Sequence, residues 1–181
     1  HVDEFRIDTL LKDALPKAKI LIDPKPTGQA TSCLLARDII PSDAQLLIAG
    51  CDSGYAFDKR AYDSLVADPS VDAVVWTFTE RETLQRNPTA WGWCELERDH
   101  RSIKRVSVKI PISPDPFHDH AVVSTFFFKR AADFWRATEL MIAAGSRVNN
   151  EFYVDAAVNF LKELGKRSVI FDVEEYFSWG T

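Results

Sequence analysis

The sequence predicts an α/β domain with a Rossmann-like mixed, mainly parallel sheet flanked by helices. Three observations carry this. Over residues 3–68, helix-like and strand-like stretches alternate, the rhythm of strands that lie parallel under crossover helices. After "DAVVWTFTE" the strand-like runs are separated by turns rather than helices, which extends the sheet in antiparallel or mixed fashion. The 181 residues are 46% hydrophobic and 12% aromatic, with no repeat or low-complexity linker, so one domain over 1–181 can bury a substantial core.

Taken in order, "DEFRIDTLLKDAL" spaces Phe5, Ile7, Leu10, Leu11 and Leu15 as a helix would, closed by Pro16. "AKILID" reads as a short buried strand and "GQATSCLLARDII" as a second helix after Pro24, Pro26 and Gly28. "AQLLIAGCD" is a buried strand, and "KRAYDSLVAD" a helix beyond a loop. "WGWCELE", "SIKRVSVKI" and "HAVVSTFFFKR" are strands. "AADFWRATELMIAAG" and "NNEFYVDAAVNFLKELG" are helices ending in Gly, and "KRSVIFDVEEYFSWG" returns to strand.

A net charge of -5 without a long run of one sign leaves no basic stripe for a nucleic-acid backbone, so a bound nucleotide is expected to be a small ligand. No apolar stretch approaches 18 residues and no cleavable leader is visible, so a cytoplasmic protein without a membrane span is expected. Cys33, Cys51 and Cys94 are odd in number and lack a CxxC pair, as suits reduced thiols. Oligomeric state is left open, a homo-oligomer included.

Ligands of open parallel sheets bind beyond the carboxyl ends of strands, and Asp52 stands at such an end, as a metal ligand or as the maker of a turn with Gly54. Glu151, Asp155 and Asn159 fall four apart, one stripe on a helix, either clasping a ligand or facing solvent. Lys109, before Pro111 at a strand end, can meet an anion or lie exposed. Gly28 at a helix start lets a base or phosphate approach, or makes a plain turn. His118 and His120, in a Pro-rich turn, read as exposed, and the Trp and Phe residues as core.

In combination and in order, "GQATSCLLA", "LLIAGCDSG", "NPTAWGW", "RVSVKIPIS", "VVSTFFFKRAADF", "NNEFYVDAAVN" and the terminal "WGT" resemble the sugar-phosphate nucleotidyltransferase family, nearest to the bacterial capsule and surface-polysaccharide members. The resemblance implies the nucleotide-diphospho-sugar transferase (GT-A-like) fold and transfer of a nucleoside monophosphate from a triphosphate to a sugar 1-phosphate or similar acceptor, with release of pyrophosphate. It implies that Asp52 and Asp155 hold Mg2+, that Gly28, Gln29 and Asp52 meet the nucleotide, and that Gly92, Lys109 and Glu151 meet the sugar and its phosphate. Three departures stand out. The family's opening strand and Gly-rich loop has no counterpart, so an N-terminally incomplete copy is expected, which leaves catalysis by this chain alone in question. Val108 stands where many relatives carry glutamate, and Ser124 where many carry glycine. Two other classes fit less well: a non-catalytic module of the same fold, told apart by the missing loop, and a GT-A glycosyltransferase, whose usual DxD pair "CDSG" does not supply.

Overall fold

β6 (His120–Phe128) is the hub of a six-stranded sheet in the computed structural model, which describes residues 2–79, 84 and 87–179. One edge of β6 pairs with β3 (Ala73–Phe78), whose far edge pairs with β7 (Ser168–Asp172). The other edge is shared. β1 (Leu46–Ala49) takes Thr125 to Phe128, and β4 (Gly92–Leu96) takes His120 and Ala121 and pairs onward with β5 (Ile103–Val108).

The mixed sheet between helices stands as expected, but its pairing needs correcting: among the described strands only β3 and β7 are parallel neighbours. β1, β3, β4 and β7 do run the same way, as the alternating pattern implied. β1 and β4 are kept apart from β3 because the long apolar β6 runs antiparallel between them, a non-local insertion that the local rhythm does not encode.

β3 is buried on both faces, which explains its run "AVVWTF", apolar except for Thr77, whose hydroxyl donates to Asp172. On one face Ala73 and Val75 join Phe126, Phe128, Phe134, Val158 and Leu161 beneath two helices, α5 (Ala131–Ala143) and α6 (Val154–Leu161), and the short α3 (Gln29–Cys33). On the other, Val74, Trp76, Val123 and Phe127 meet α4 (Lys59–Ala67), whose first turn is capped by Asp58 accepting from the N–H groups of Arg60 and Ala61. A separate antiparallel ribbon, β2 (Ser53–Ala56) with β8 (Glu175–Ser178), packs on that face through Tyr55 against Trp76 and Tyr176 stacked on Phe78.

Two further expectations are corrected. The first helix is two pieces, α1 (Val2–Phe5) and α2 (Ile7–Ala14), broken by a left-handed Arg6, and no residue of α2 is buried. No strand forms over 18–23; Leu21 and Ile22 are exposed, because an apolar run becomes a strand only where a ladder accepts it.

The outer edges of β5 and β7 are each tied from within at one place. Asn159 of α6 accepts from the N–H of Val106 at 2.7 Å and donates to its carbonyl at 2.9 Å, satisfying this residue on the outer edge of β5. On β7, Ile170 donates to the carbonyl of Arg101, and Ser102 bridges Val169. Within β6, Ser124 has φ 55, and three residues, Val123 to Thr125, stand opposite the single Trp76 of β3. This bulge opens a gap between the end of β1 and the start of β4.

Ser124→Gly, which removes a left-handed penalty, is expected to raise stability by about 0.5–1 kcal/mol in urea unfolding. Asn159→Ala strands both polar groups of buried Val106 and is expected to cost about 2–4 kcal/mol in the same experiment.

Candidate active site

The gap beside the bulge is the mouth of a cavity of about 290 Å³. Gly50 leaves β1 with its N–H bonded to the carbonyl of Ser124, and the chain turns so that Asp52 and Ser53 reach the cavity from one side. Ala90, Trp91 and Gly92 enter β4 from the other, and Val122, Ser124 and Phe126 form the floor.

Asp155 is the deepest charge. It lies in the first turn of α6, where the helix dipole favours a carboxylate, yet only 8% of it is exposed. Burial pushes its carboxyl up to about 6, against the opposing pull of the Ala156 N–H that Oδ1 accepts at 3.0 Å and of the Lys109 charge. Its Oδ2 lies where a β-carbon on Gly92 would stand, so only glycine at 92 admits this carboxylate beside the backbone. Asp155 is therefore part of the buried interior, not of a solvated helix face.

Lys109 follows the end of β5 in a left-handed conformation with φ 62. Its ammonium donates to the carbonyl of Ala90 and lies 5.6 Å from the centre of the Tyr153 ring, on the cavity wall. Gln29, the first residue of α3, also lines the cavity. Asp52, Gly92, Lys109, Asp155 and Gln29, distant in sequence, thus meet in one place.

Gly28 and Glu151 do not join the lining. Gly28, at φ 136, packs against the backbone of Phe152, whose carbonyl accepts from Ala30 and whose N–H donates to Thr27; its missing side chain serves this crossing of two chain segments. Glu151 precedes α6 and exchanges backbone hydrogen bonds with Val148, so the expected stripe Glu151, Asp155, Asn159 is no helical face. Glu151 touches the site indirectly: beside the effect of burial, its hydrogen bond and charge raise the Tyr153 hydroxyl above its ordinary range. Val108 is buried in the core and offers no polar group. Gly180 and Thr181 of the terminal "WGT" lie outside the described residues.

Sequence reasoning missed the walls of the cavity. Trp91, Tyr153, Tyr176, Ser53 and Ser178 all line it. The alternation of Tyr176 and Ser178 along a strand was a usable signal for a shared face, but nothing local reveals that β8 pairs with β2. His118 is exposed as expected; His120 is instead half-buried, with Nδ1 2.8 Å from Asp172 Oδ1, an oxygen that also accepts from Thr77 at 2.7 Å. Burial works to raise Asp172, but those two hydrogen bonds and the His120 charge hold it below the ordinary carboxylate range. The three cysteines are unpaired, and burial pushes the Cys94 thiol far up.

No family model and no curated protein matches the chain. Solved structures do. A nucleoside-diphosphate-sugar pyrophosphorylase from Vibrio cholerae RC9 superposes with TM-score 0.71 at 16% identity, covering 100% of this chain and 74% of the other. The fold is that of the nucleotide-sugar transferases. An inositol-1-phosphate CTP transferase from T. maritima shares it with TM-score 0.67 at 10% identity, over 96% of this chain and 64% of that one. HddC from Yersinia pseudotuberculosis, solved in complex with GMP-PN, gives TM-score 0.59 at 12% identity over 98% and 69%. No described helix of this nucleotide-sugar transferase fold is long and apolar enough to cross a membrane.

The folded-state value of Asp155 lies above its ordinary 3.8, so ionisation opposes folding. The penalty is absent below about pH 4, grows through the window up to about 6 and is complete above it. Asp155→Asn is therefore expected to be more stable than the parent at pH 8, by up to about 3 kcal/mol, with the advantage vanishing near pH 4 in denaturant titrations.

Proposed function

We propose that the chain is a magnesium-dependent nucleotidyltransferase domain that joins a nucleoside monophosphate from a triphosphate to a sugar 1-phosphate or similar phosphorylated acceptor, with loss of pyrophosphate, in the cytoplasmic synthesis of nucleotide sugars for surface polysaccharide. The observation that carries this reading is the convergence of Asp52, Asp155 and Lys109 on one cavity of the sheet. The named activities of the similar structures, a sugar pyrophosphorylase and a CTP transferase, support it.

The electrostatics favour a cation. Two carboxylates and one ammonium leave the cavity net negative, which would repel phosphorylated reactants. Among the described residues no cluster of three or more His, Cys, Asp or Glu could hold a metal by itself. Mg2+ suits such a donor set, because it takes one or two carboxylates and completes its shell with water and substrate phosphates. The buried Asp155, disfavoured as a bare anion, is a group whose charge a cation would stabilise. Asp52 and Asp155 would hold the ion, which when bound would neutralise the phosphate oxygens during in-line displacement.

The remaining residues bind and orient. Lys109 turns from the Ala90 carbonyl to the acceptor phosphate as a point charge. Gly92 keeps the backbone close to the acceptor and to Asp155. Gln29 approaches the nucleotide from the start of α3. No protein nucleophile is needed, since the acceptor phosphate oxygen itself attacks the α-phosphorus.

Pyrophosphate release by the full-length gene product, with each nucleoside triphosphate, Mg2+ and a panel of sugar 1-phosphates and other phosphorylated acceptors, tests the reading. Release that requires one triphosphate and one acceptor together is expected, and Asp52→Asn or Asp155→Asn should lower it by about 100-fold or more. Release indifferent to both substitutions, or silence across the panel, would overturn it.

A further inference from the structure

β2 begins at the residue after Asp52, and among the described residues its ladder partner is β8. A two-stranded ribbon of four residue pairs has little stability of its own, so the placement of Asp52 depends on what holds the ribbon together. Two ties come from Trp179, immediately after β8. Its N–H donates to the carbonyl of Asp52 at 2.9 Å, and its indole lies over Gly54: a β-carbon there would stand 2.8 Å from Cη2 and 3.0 Å from Cζ2. Gly54 pairs with Phe177, so Trp179 is its diagonal neighbour across the ribbon, the arrangement in which an aromatic ring covers a strand glycine.

Trp179 is 71% exposed, so its ring is not there to fill the core. β8 is itself anchored to the main sheet, because Val173 donates to Thr77 and Tyr176 stacks on Phe78 at 4.5 Å. Tyr176 and Ser178 meanwhile face the cavity. The ribbon is thus a strap fixed to the main sheet through Val173, Tyr176 and Tyr55, and its free end is closed beside Asp52 by Trp179.

We infer that Trp179 is a positioning residue for Asp52: by closing the β2–β8 strap it holds the exposed carboxylate in place for the cation that it would share with Asp155. The cation part of this inference rests on the function proposed above. The strap does not.

Hydrogen exchange with mass spectrometry over residues 50–57, and Mn2+ binding followed by water proton relaxation, test the two parts separately in Trp179→Ala, Trp179→Phe and Asp155→Asn. In Trp179→Ala the backbone of residues 52–56 is expected to exchange about fivefold faster, with Mn2+ affinity weakened by a similar factor. Trp179→Phe, which keeps a ring over Gly54, should return both to within about twofold of the parent. Asp155→Asn should lose Mn2+ and leave the exchange of 52–56 unchanged. Parent-like exchange in Trp179→Ala would overturn the strap. Faster exchange with unchanged Mn2+ affinity would overturn the positioning role. A parent protein that exchanges as expected but binds no Mn2+ would instead sink the metal reading of the function, and the positioning role with it, while leaving the strap intact.

Discussion

The left-handed turn at Ser124 is the constraint on which the arrangement depends. A regular β6 would present an unbroken ladder to one partner strand along its whole edge. With three residues bulged opposite Trp76, the edge is divided between β1 and β4, and the interval between them becomes a cavity floored by Val122, Ser124 and Phe126. The turn after β1 and the loop before β4 are forced to face each other across it, which brings Asp52 and Gly92 to one cavity although 39 residues of chain lie between them. Strain in one residue of a buried strand is the local cost of making a site in the middle of a sheet rather than at its rim.

Asp155 is where burial and charge meet in this cavity. Its carboxylate is admitted because Gly92 has no side chain, and it is only partly compensated by the backbone N–H groups of Ala156 and of Asp155 itself and by a lysine that is itself engaged with a carbonyl. A protein selected for stability alone would place an amide or an apolar group there. The first turn of α6 therefore carries a charge that the rest of the fold tolerates, in a place where a positive ligand would turn a penalty into binding energy.

What could be read from sequence follows the range of the interactions involved. Val74, Val75 and Trp76 in an unbroken apolar run, Gly165 closing a helix at φ 69, and Asp52 just beyond a strand all rest on local patterns, and each appeared where the pattern put it. The exchange of parallel for antiparallel neighbours came from β6, whose partners lie from about 30 to 80 residues away and leave no mark on its own alternation. Glu151 failed as a helical residue because α6 begins at Val154, and a period of four cannot say where a helix starts. Asn159 shared that period for another reason, the need of Val106 for two hydrogen-bond partners. Residues 18–23 had the composition of a strand but no ladder to join. The walls of the cavity, Tyr176 and Ser178 above all, were hidden because a ribbon pairing across more than a hundred residues set their direction.

The closure of the outer strands by Asn159 and by the Arg101–Ser102 turn bears on how the molecule behaves in a crowded solution. An open strand edge is a template on which another chain can continue the ladder, the usual first step of β-type aggregation. Here Val106 and Ile170 already have their hydrogen bonds from within the chain. A second molecule seeking to add a strand beside either residue must first break contacts that the native fold has made, so these two borders discourage growth of the sheet from one copy to the next.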